Sequence, residues 1–194
     1  MNISTSLRLP ADSYFPEKHP KDLIVLHHTV GGSAKSTFEY WRTNIDAKHI
    51  GTAYIIDRDG TIYEVFPPEC WAYHLGLKTT QAVDKRSIGI EIASEGALLE
   101  RGGNYYAFGR LTEATRYNGP VFDVDAEVST SGIKTVSAPQ LWRDYRYFAQ
   151  YTPAALASVF ALVDALLTRF AIPRQAPSDH VDFSLPAYTI TKAC

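Results

Sequence analysis

The sequence predicts a single α/β domain in which helices flank a mixed central β-sheet. Two observations predict this class. Short β-rich runs and helical patterns occur together along the chain, and no internal repeat or low-complexity linker separates them. The length of 194 residues suits one domain that spans residues 1–194, and a hydrophobic content of 45% can fill a sizeable core.

The composition argues against several classes of function. The 19 Lys and Arg residues nearly balance the 21 Asp and Glu residues, so the chain lacks the basic excess that nucleic acids require. The most apolar run, residues 154–167, contains Asp164 and is shorter than the roughly 20 residues of a membrane span. Cys70 and Cys194 are too few for a disulfide framework. We therefore expect no nucleic-acid partner and no membrane span.

The first predicted strand covers residues 23–26, which are apolar on both faces, as in a strand buried in the middle of a sheet. His27 and His28 follow at its carboxyl end. After two glycines, residues 36–45 carry large apolar side chains at helical spacing, with Ser36 as a possible N-cap. The chain therefore begins with a strand, a loop and a helix.

A β-hairpin and a further strand are predicted next. Residues 53–56 and 61–66 are β-rich and flank an Asp-Gly turn, which is a strong hairpin signal. Residues 87–93 alternate β-branched residues with small or polar ones. Within this strand, Gly89 marks a place where another segment approaches closely, and Glu91 shares its face.

The second half of the chain predicts an insertion and a long helix. Residues 94–151 are the least regular part and suggest an insertion with extra hairpins. Thr152 as N-cap and Pro153 at the first helical position begin a helix that Pro173 ends. Its apolar positions are Leu156, Val159, Phe160, Val163, Leu166, Leu167 and Phe170.

Three residues far apart in the chain could hold a metal. His27 ends a strand, where α/β sheets expose functional groups, whereas His28 points to the opposite face and is predicted to be structural. A histidine after an apolar run is more often a hydrogen-bonded core residue, but His180 and Cys194 supply two more donors. Two His and one Cys leave one zinc position open, as in catalytic sites. A structural site would need a fourth ligand, and Cys70 is the other thiol.

A carboxylate and a cation would complete a hydrolytic site. Glu91 is the candidate for taking a proton from water, and Lys192 could stabilise a developing oxyanion. Without a metal, a solvated strand glutamate and a solvated tail lysine are the simpler interpretations.

Four segments resemble, in order, the motifs of type 2 N-acetylmuramoyl-L-alanine amidases. This family includes phage endolysins, AmpD-like recycling enzymes and peptidoglycan recognition proteins. The segments are Leu-Ile-Val-Leu-His-His-Thr-Val at 23–30, Gly-Thr-Ala-Tyr-Ile-Ile-Asp-Arg-Asp-Gly-Thr-Ile-Tyr-Glu at 51–64, Trp-Ala-Tyr-His-Leu-Gly at 71–76 and Ser-Ile-Gly-Ile-Glu-Ile at 87–92. With the tail, the resemblance covers about residues 20–95 and 150–194.

The resemblance implies one zinc ion at an edge of the sheet. It also implies hydrolysis of the amide bond between N-acetylmuramic acid and L-alanine in peptidoglycan. The residues that match the family pattern are His27, His180 and Cys194 as zinc ligands, Glu91 and Lys192 as catalytic residues, and His74 as a substrate contact.

Three features depart from the family pattern. Thr52 stands where many members have tyrosine, and Tyr54 is the nearest substitute, so both are predicted substrate contacts and Glu91 must carry more of the proton transfer. The tail is longer than expected between its histidine and its lysine, and Asp182 is a competing oxygen ligand. The family continues with Pro-Gly where this sequence stops at Cys194, which suggests a truncated form.

The leading hypothesis is a lytic endolysin that acts on peptidoglycan as a monomer. Residues 1–10 lack the cationic and apolar regions of a secretory signal, so we expect cytoplasmic synthesis and action on the cell wall after release. A cytoplasmic AmpD-like enzyme that recycles soluble muropeptides is an alternative with the same chemistry. A non-catalytic peptidoglycan-binding module is the other alternative, although all the residue types for catalysis are present.

Overall fold

A computed structural model describes residues 1–43, 48–75, 81–107, 116–123 and 145–174, and the backbone of residues 188–190. Six strands form the central sheet: β1 (Ile3–Ser4), β2 (Leu23–His28), β3 (Tyr54–Ile56), β4 (Ile62–Glu64), β5 (Ser87–Ile92) and β11 (Tyr188–Ile190). Their order is β1-β4-β3-β5-β2-β11. β3 and β4 form the predicted antiparallel hairpin, and the other pairs are parallel. The predicted mixed sheet is therefore confirmed.

The alternating sequence of β5 gives its two faces different compositions. Isoleucines alternate with Ser87, Gly89 and Glu91 along the strand. The isoleucines belong to the hydrophobic core, together with Ile24 and Leu26, which are in register with two of them on β2. Because successive residues of a strand point to opposite faces, the other face of β5 carries only small and polar residues.

The first helix, α1 (Ala34–Thr43), begins two residues earlier than predicted. Its cap is Ser33 and not Ser36, because the Oγ atom of Ser33 accepts a hydrogen bond of 3.2 Å from the backbone N–H of Ser36. Phe38 and Trp41 are buried, as the helical spacing predicts. The predicted last residue of this helix lies outside the described ranges. The short helix α2 (Gln81–Arg86) leads directly into β5.

The long helix, α3 (Pro153–Arg169), confirms the predicted start. The Oγ1 atom of Thr152 accepts a hydrogen bond of 3.0 Å from the backbone N–H of Ala155, and proline follows the cap. Its buried residues are Ala155, Val159, Leu162, Val163, Leu166 and Leu167. Phe160, predicted among the apolar positions, is instead 45% exposed, because it falls at the border of this buried stripe.

A second sheet lies within residues 97–149. Its strands are β6 (Ala97–Arg101), β7 (Asn104–Ala107), β8 (Arg116–Tyr117), β9 (Val121–Asp123) and β10 (Tyr147–Ala149). They pair antiparallel in the order β8-β7-β6-β10-β9. The turn between β6 and β7 contains Gly102 and Gly103, whose φ angles of 59° and 76° favour glycine. The region predicted as an insertion thus contains antiparallel strands, and residues 108–115 and 124–144 lie outside the described part.

Among the residues that the structure describes, no helix combines the length and the apolar content of a membrane-spanning segment.

Candidate active site

Two parallel strands bring His27 and Glu91 side by side. His27 on β2 and Glu91 on β5 are in register, so their side chains leave the sheet on the same face. Ser87 and Gly89 precede Glu91 on this face. His27 and Glu91 lie towards the carboxyl ends of their strands, where α/β sheets commonly bind ligands.

A cavity of about 400 Å³ lies beside Glu91. Its walls come from the loop after β2, from helix α1 and from the segment that precedes β3. The residues that line it are Thr29, Val30, Gly31, Ser36, Thr37, Tyr40, Trp41, Ile50, Gly51, Thr52, His74 and Glu91. The lining therefore combines hydroxyl groups and aromatic rings with a carboxyl group, as ligand sites often do.

Glu91 is almost completely buried at the wall of this cavity, with 8% of its surface exposed. Its Oε2 atom has no hydrogen-bond partner within the described part of the chain. Burial raises the pKa of the Glu91 carboxyl to about 8. A carboxyl group with a pKa near neutrality can both accept and release a proton, which is what general acid–base catalysis requires.

His74 connects His27 to Ser87. The Nε2 atom of His27 lies 2.9 Å from Nδ1 of His74, and Nε2 of His74 lies 2.8 Å from Oγ of Ser87. All three side chains are buried. Burial, together with the neighbouring His27 and Lys21, lowers the pKa of His74 to about 3. The His74 imidazole is therefore neutral at physiological pH.

Gly89 provides the space that His74 occupies. A Cβ atom at this position would lie 2.7 Å from Cγ2 of Thr52 and 3.2 Å from Cγ of His74. Neither separation leaves room for an ordinary contact. The close approach that the sequence predicts at Gly89 is therefore confirmed.

Thr52 and Tyr54, both predicted to contact substrate, occupy different places. Thr52 lines the cavity, but its hydroxyl group donates a hydrogen bond of 2.8 Å to the backbone carbonyl of Tyr54. Tyr54 is in register with Ile90, on the core face of the sheet, and is 1% exposed. Its hydroxyl group donates to Glu64 at 3.4 Å, and burial raises its pKa. Tyr54 therefore contributes to the core and not to the cavity.

The rim of the cavity contains two exposed residues that the sequence did not single out. Tyr40 on α1 is 56% exposed, and Val30 after β2 is 43% exposed. Val30 has a φ of 51°, which is unfavourable for a β-branched residue. The helical spacing that buries Trp41 also turns Tyr40 outward, so Tyr40 could have been found, whereas no sequence signal predicts the backbone of Val30.

After residue 174, the structure describes only the backbone of residues 188–190. His180, Asp182, Lys192 and Cys194 lie outside the described residues. Within the described ranges, no three His, Cys, Asp or Glu side chains form a group that could hold a metal. The backbone of β11 pairs with β2, with Ile190 in register with Leu26, the residue before His27.

Cys70 and His28, which the sequence also singled out, are held by contacts within the fold. The thiol of Cys70 is buried and donates a hydrogen bond of 3.4 Å to the carbonyl of Pro16. His28 packs so closely against Gly96 that a Cβ atom there would lie 2.5 Å from its ring. Burial lowers the pKa of His28 and raises that of Cys70.

Comparison with known protein families gives a match for the chain. Residues 17–191 match the family model described as N-acetylmuramoyl-L-alanine amidase. Comparison with curated protein sequences gives no match.

Three solved structures are similar to the chain. The catalytic domain of XlyA is 16% identical with a TM-score of 0.52, covering 89% of this chain and 80% of that one. PlyL is 16% identical with a TM-score of 0.51, covering 89% and 77%. The amidase LysC from Clostridium intestinale URNW is 17% identical with a TM-score of 0.46, covering 89% and 78%. At these identities, XlyA and PlyL show a shared fold.

Proposed function

The chain belongs to the N-acetylmuramoyl-L-alanine amidase family and is an enzyme of that activity. From this premise, we propose that it is a zinc-dependent hydrolase that cuts the amide bond between N-acetylmuramic acid and L-alanine in peptidoglycan, and that it acts as a lytic endolysin. The observation that carries the proposal is the buried Oε2 atom of Glu91. It lines the cavity in register with His27 and lacks a hydrogen-bond partner among the described residues.

Glu91 acts as the proton acceptor. A buried carboxyl oxygen without a partner costs free energy unless a water molecule or a cation completes its interactions. A water molecule at Oε2 would therefore be held by the carboxyl group that takes its proton when the water attacks the amide carbonyl. Glu91 would then give the proton to the departing amine, because its pKa lies near neutrality.

His27, His180 and Cys194 are the proposed zinc ligands. The donor chemistry of the described residues fits zinc, because the imidazole of His27 is a preferred ligand and an orphaned carboxyl oxygen lies on the same face. When bound, zinc supplies the Lewis acidity that makes an amide carbonyl susceptible to water. Three protein ligands would leave the fourth coordination position for water or substrate.

The backbone of β11 supports a contribution from the tail. Ile190 pairs with Leu26 at the edge of β2, and Cys194 is four residues further along the sequence. Four residues span at most about 14 Å, so a zinc ion beside His27 is within the reach of the chain from Ile190 to Cys194. Lys192 lies between them in the sequence, and we assign its ammonium group to the stabilisation of the oxyanion.

The cavity supports a polymeric substrate. Tyr40 and Val30 are exposed and also line it, so the cavity reaches the protein surface beside Glu91. Ser36 and Thr37 add hydroxyl groups from the same helix, which suit the polar groups of a sugar or a peptide. Thr52 and His74 complete the wall nearest to Glu91.

The test is digestion of purified sacculi and of soluble anhydro-muropeptides by the zinc-loaded chain, followed by mass spectrometry. We expect free stem peptides that begin with L-alanine from both substrates, together with about one zinc per chain by metal analysis. Removal of zinc with a chelator should abolish release, and addition of zinc should restore it.

Each other result contradicts a specific part of the proposal. Release from the soluble substrate alone would overturn the endolysin role in favour of muropeptide recycling. Binding to sacculi without any release of peptide would overturn hydrolysis in favour of a recognition module. Full release after chelation, with no metal in the protein, would overturn the zinc site.

A further inference from the structure

A chain of hydrogen bonds connects His27 to the backbone of Asp84. The Nε2 atom of His27 lies 2.9 Å from Nδ1 of His74, whose Nε2 atom lies 2.8 Å from Oγ of Ser87. The Ser87 hydroxyl group then donates to the backbone carbonyl of Asp84 at 3.4 Å. The last acceptor is a carbonyl oxygen, which has no proton to give.

This last bond and the nearby Asp84 carboxylate together set the direction of the others. The Ser87 hydroxyl has one proton, and when it donates this proton to Asp84 its oxygen accepts the N–H of His74 Nε2. A neutral imidazole has one N–H, so Nδ1 of His74 carries a lone pair and accepts the N–H of His27 Nε2. His27 is therefore the tautomer with its proton on Nε2 and its lone pair on Nδ1.

The carboxylate of Asp84 supports the same direction. Its Oδ1 atom accepts hydrogen bonds from the backbone N–H groups of His74 and Leu75, at 3.1 and 3.2 Å. The same atom lies 3.6 Å from Nε2 of His74. A negative charge at this distance favours a proton on Nε2 over one on Nδ1. Asp84 therefore holds both the backbone and the tautomer of His74.

We infer that His74 is a positioning residue that, with Ser87 and Asp84, fixes the tautomer of His27 so that Nδ1 carries the lone pair that a zinc ion would take. The inference rests on the proposed function, because it takes His27 as a zinc ligand. It also changes the role that family resemblance implied for His74. Both ring nitrogens are already in hydrogen bonds, so a substrate contact through either would break the chain that orients His27.

Zinc binds a neutral imidazole through its lone pair. A histidine free to exchange tautomers and to rotate must lose this freedom when the metal binds. A fixed ring avoids that loss. Mutation of the hydrogen-bond partner of a metal-binding histidine therefore typically lowers metal affinity by about 10–100-fold.

The direct test is the tautomer of His27 in the metal-free protein. Long-range ¹H–¹⁵N correlation spectra of the full chain with ¹⁵N-labelled histidine distinguish a protonated from an unprotonated ring nitrogen. We expect both His27 and His74 to be protonated on Nε2 and unprotonated on Nδ1. Protonation of His27 on Nδ1 would overturn the inference.

A second test measures zinc affinity by competition with a chromogenic chelator. Ser87→Ala removes the acceptor for His74, so we expect a zinc dissociation constant about tenfold higher and a mixture of His27 tautomers. Ser87→Thr keeps the hydroxyl group and should restore both. The matched control is Ser158→Ala on α3, which removes a hydrogen bond from the hydroxyl group to the carbonyl of Gly60 and should leave zinc affinity unchanged.

The two tests separate this inference from the proposed function. If the wild-type chain takes up no zinc, the proposed function fails, while the His27 tautomer still decides the direction of the hydrogen bonds. If zinc binds but Ser87→Ala matches the Ser158→Ala control in affinity and in tautomer, the positioning role of His74 is overturned and the metal site stands.

Discussion

The ring of His74 lies against Gly89 so closely that a β-carbon on residue 89 would come within 3.2 Å of its Cγ atom. Gly89 lies between Ser87 and Glu91 on one face of β5. The missing side chain therefore allows His74 to span from Ser87 to His27 on the neighbouring strand. One glycine thus connects the packing of the central sheet to the geometry of the candidate active site.

Gly89→Ala should damage this site. The new methyl group would lie 2.7 Å from Cγ2 of Thr52, and relief of that overlap must move Thr52 or His74. We expect a loss of about 1–3 kcal/mol in the free energy of unfolding, as for other overpacked cores. Amidase activity should fall as well, because both displaced residues line the cavity. Chemical denaturation and peptide release from sacculi measure the two effects.

The control for this substitution is Gly31→Ala. A Cβ atom there would meet nothing closer than 3.5 Å, so the free energy of unfolding should change much less. If both alanine variants unfold at the same denaturant concentration as the wild type, the packing argument for Gly89 is wrong.

Glu91→Gln should separate chemistry from folding. Glutamine has the same shape but cannot take a proton, so we expect the rate of peptide release to fall by about 100-fold or more. Zinc content and the thermal unfolding curve should resemble those of the wild type. Glu69→Gln, which changes a glutamate that pairs with Arg169, is the matched control and should keep full activity. Equal activity of Glu91→Gln and the control would assign proton transfer to another group.

Local patterns predicted those parts of the fold that neighbouring residues determine. The hairpin at β3 and β4 follows from its Asp-Gly turn, and α3 follows from Thr152 and Pro153 at its start. The alternation in β5 placed Glu91 on the same face as Gly89. Each of these signals acts over a few residues, so the rest of the structure does not have to be known.

Other features depend on contacts between distant segments and could not be predicted. From the sequence, Tyr54 is the nearest substitute at the position of Thr52, but β3 begins only at Tyr54, so Thr52 lies before the strand and the two residues do not share its alternation. The partners of His74 come from β2, 47 residues earlier in the chain, and from α2 and the start of β5, ten and thirteen residues further along it. Only the folded chain brings these groups together and excludes water from them.

Tyr40→Ala should weaken substrate binding with little effect on stability. Tyr40 is 56% exposed at the rim of the cavity, so its removal should change the free energy of unfolding by less than about 0.5 kcal/mol. Loss of an aromatic contact with the substrate should raise KM by roughly tenfold, equivalent to about 1.4 kcal/mol, with kcat nearly unchanged. Steady-state kinetics on soluble muropeptides measures both constants.

Phe160→Ala is the matched control for Tyr40→Ala. Phe160 is 45% exposed on α3 and is not among the residues that line the cavity, so its loss should leave KM unchanged. A KM for Tyr40→Ala that equals the wild-type value would remove Tyr40 from the substrate-binding surface.

Lys21 should make the stability of the protein depend on alkaline pH. Its buried ammonium group donates hydrogen bonds to the carbonyl groups of Cys70, Lys85 and Ser87, at 2.9, 2.8 and 3.1 Å. Burial lowers the pKa of Lys21 from 10.5 to about 8. Between these two values the unfolded chain holds a proton that the folded chain has lost, so the free energy of unfolding rises with pH.

The measurement compares the wild type with Lys21→Met by urea denaturation from pH 7 to 10.5. We expect the variant to be less stable at pH 7, because three buried carbonyl groups lose a donor, at a cost of about 1–3 kcal/mol. The difference should grow as the pH rises from about 8 towards 10.5, since only the wild type gains from the loss of a buried charge. Lys35→Met removes an exposed lysine and should show no such trend. A difference between wild type and Lys21→Met that stays constant, or shrinks, over this pH range would show that Lys21 keeps its proton in the folded protein.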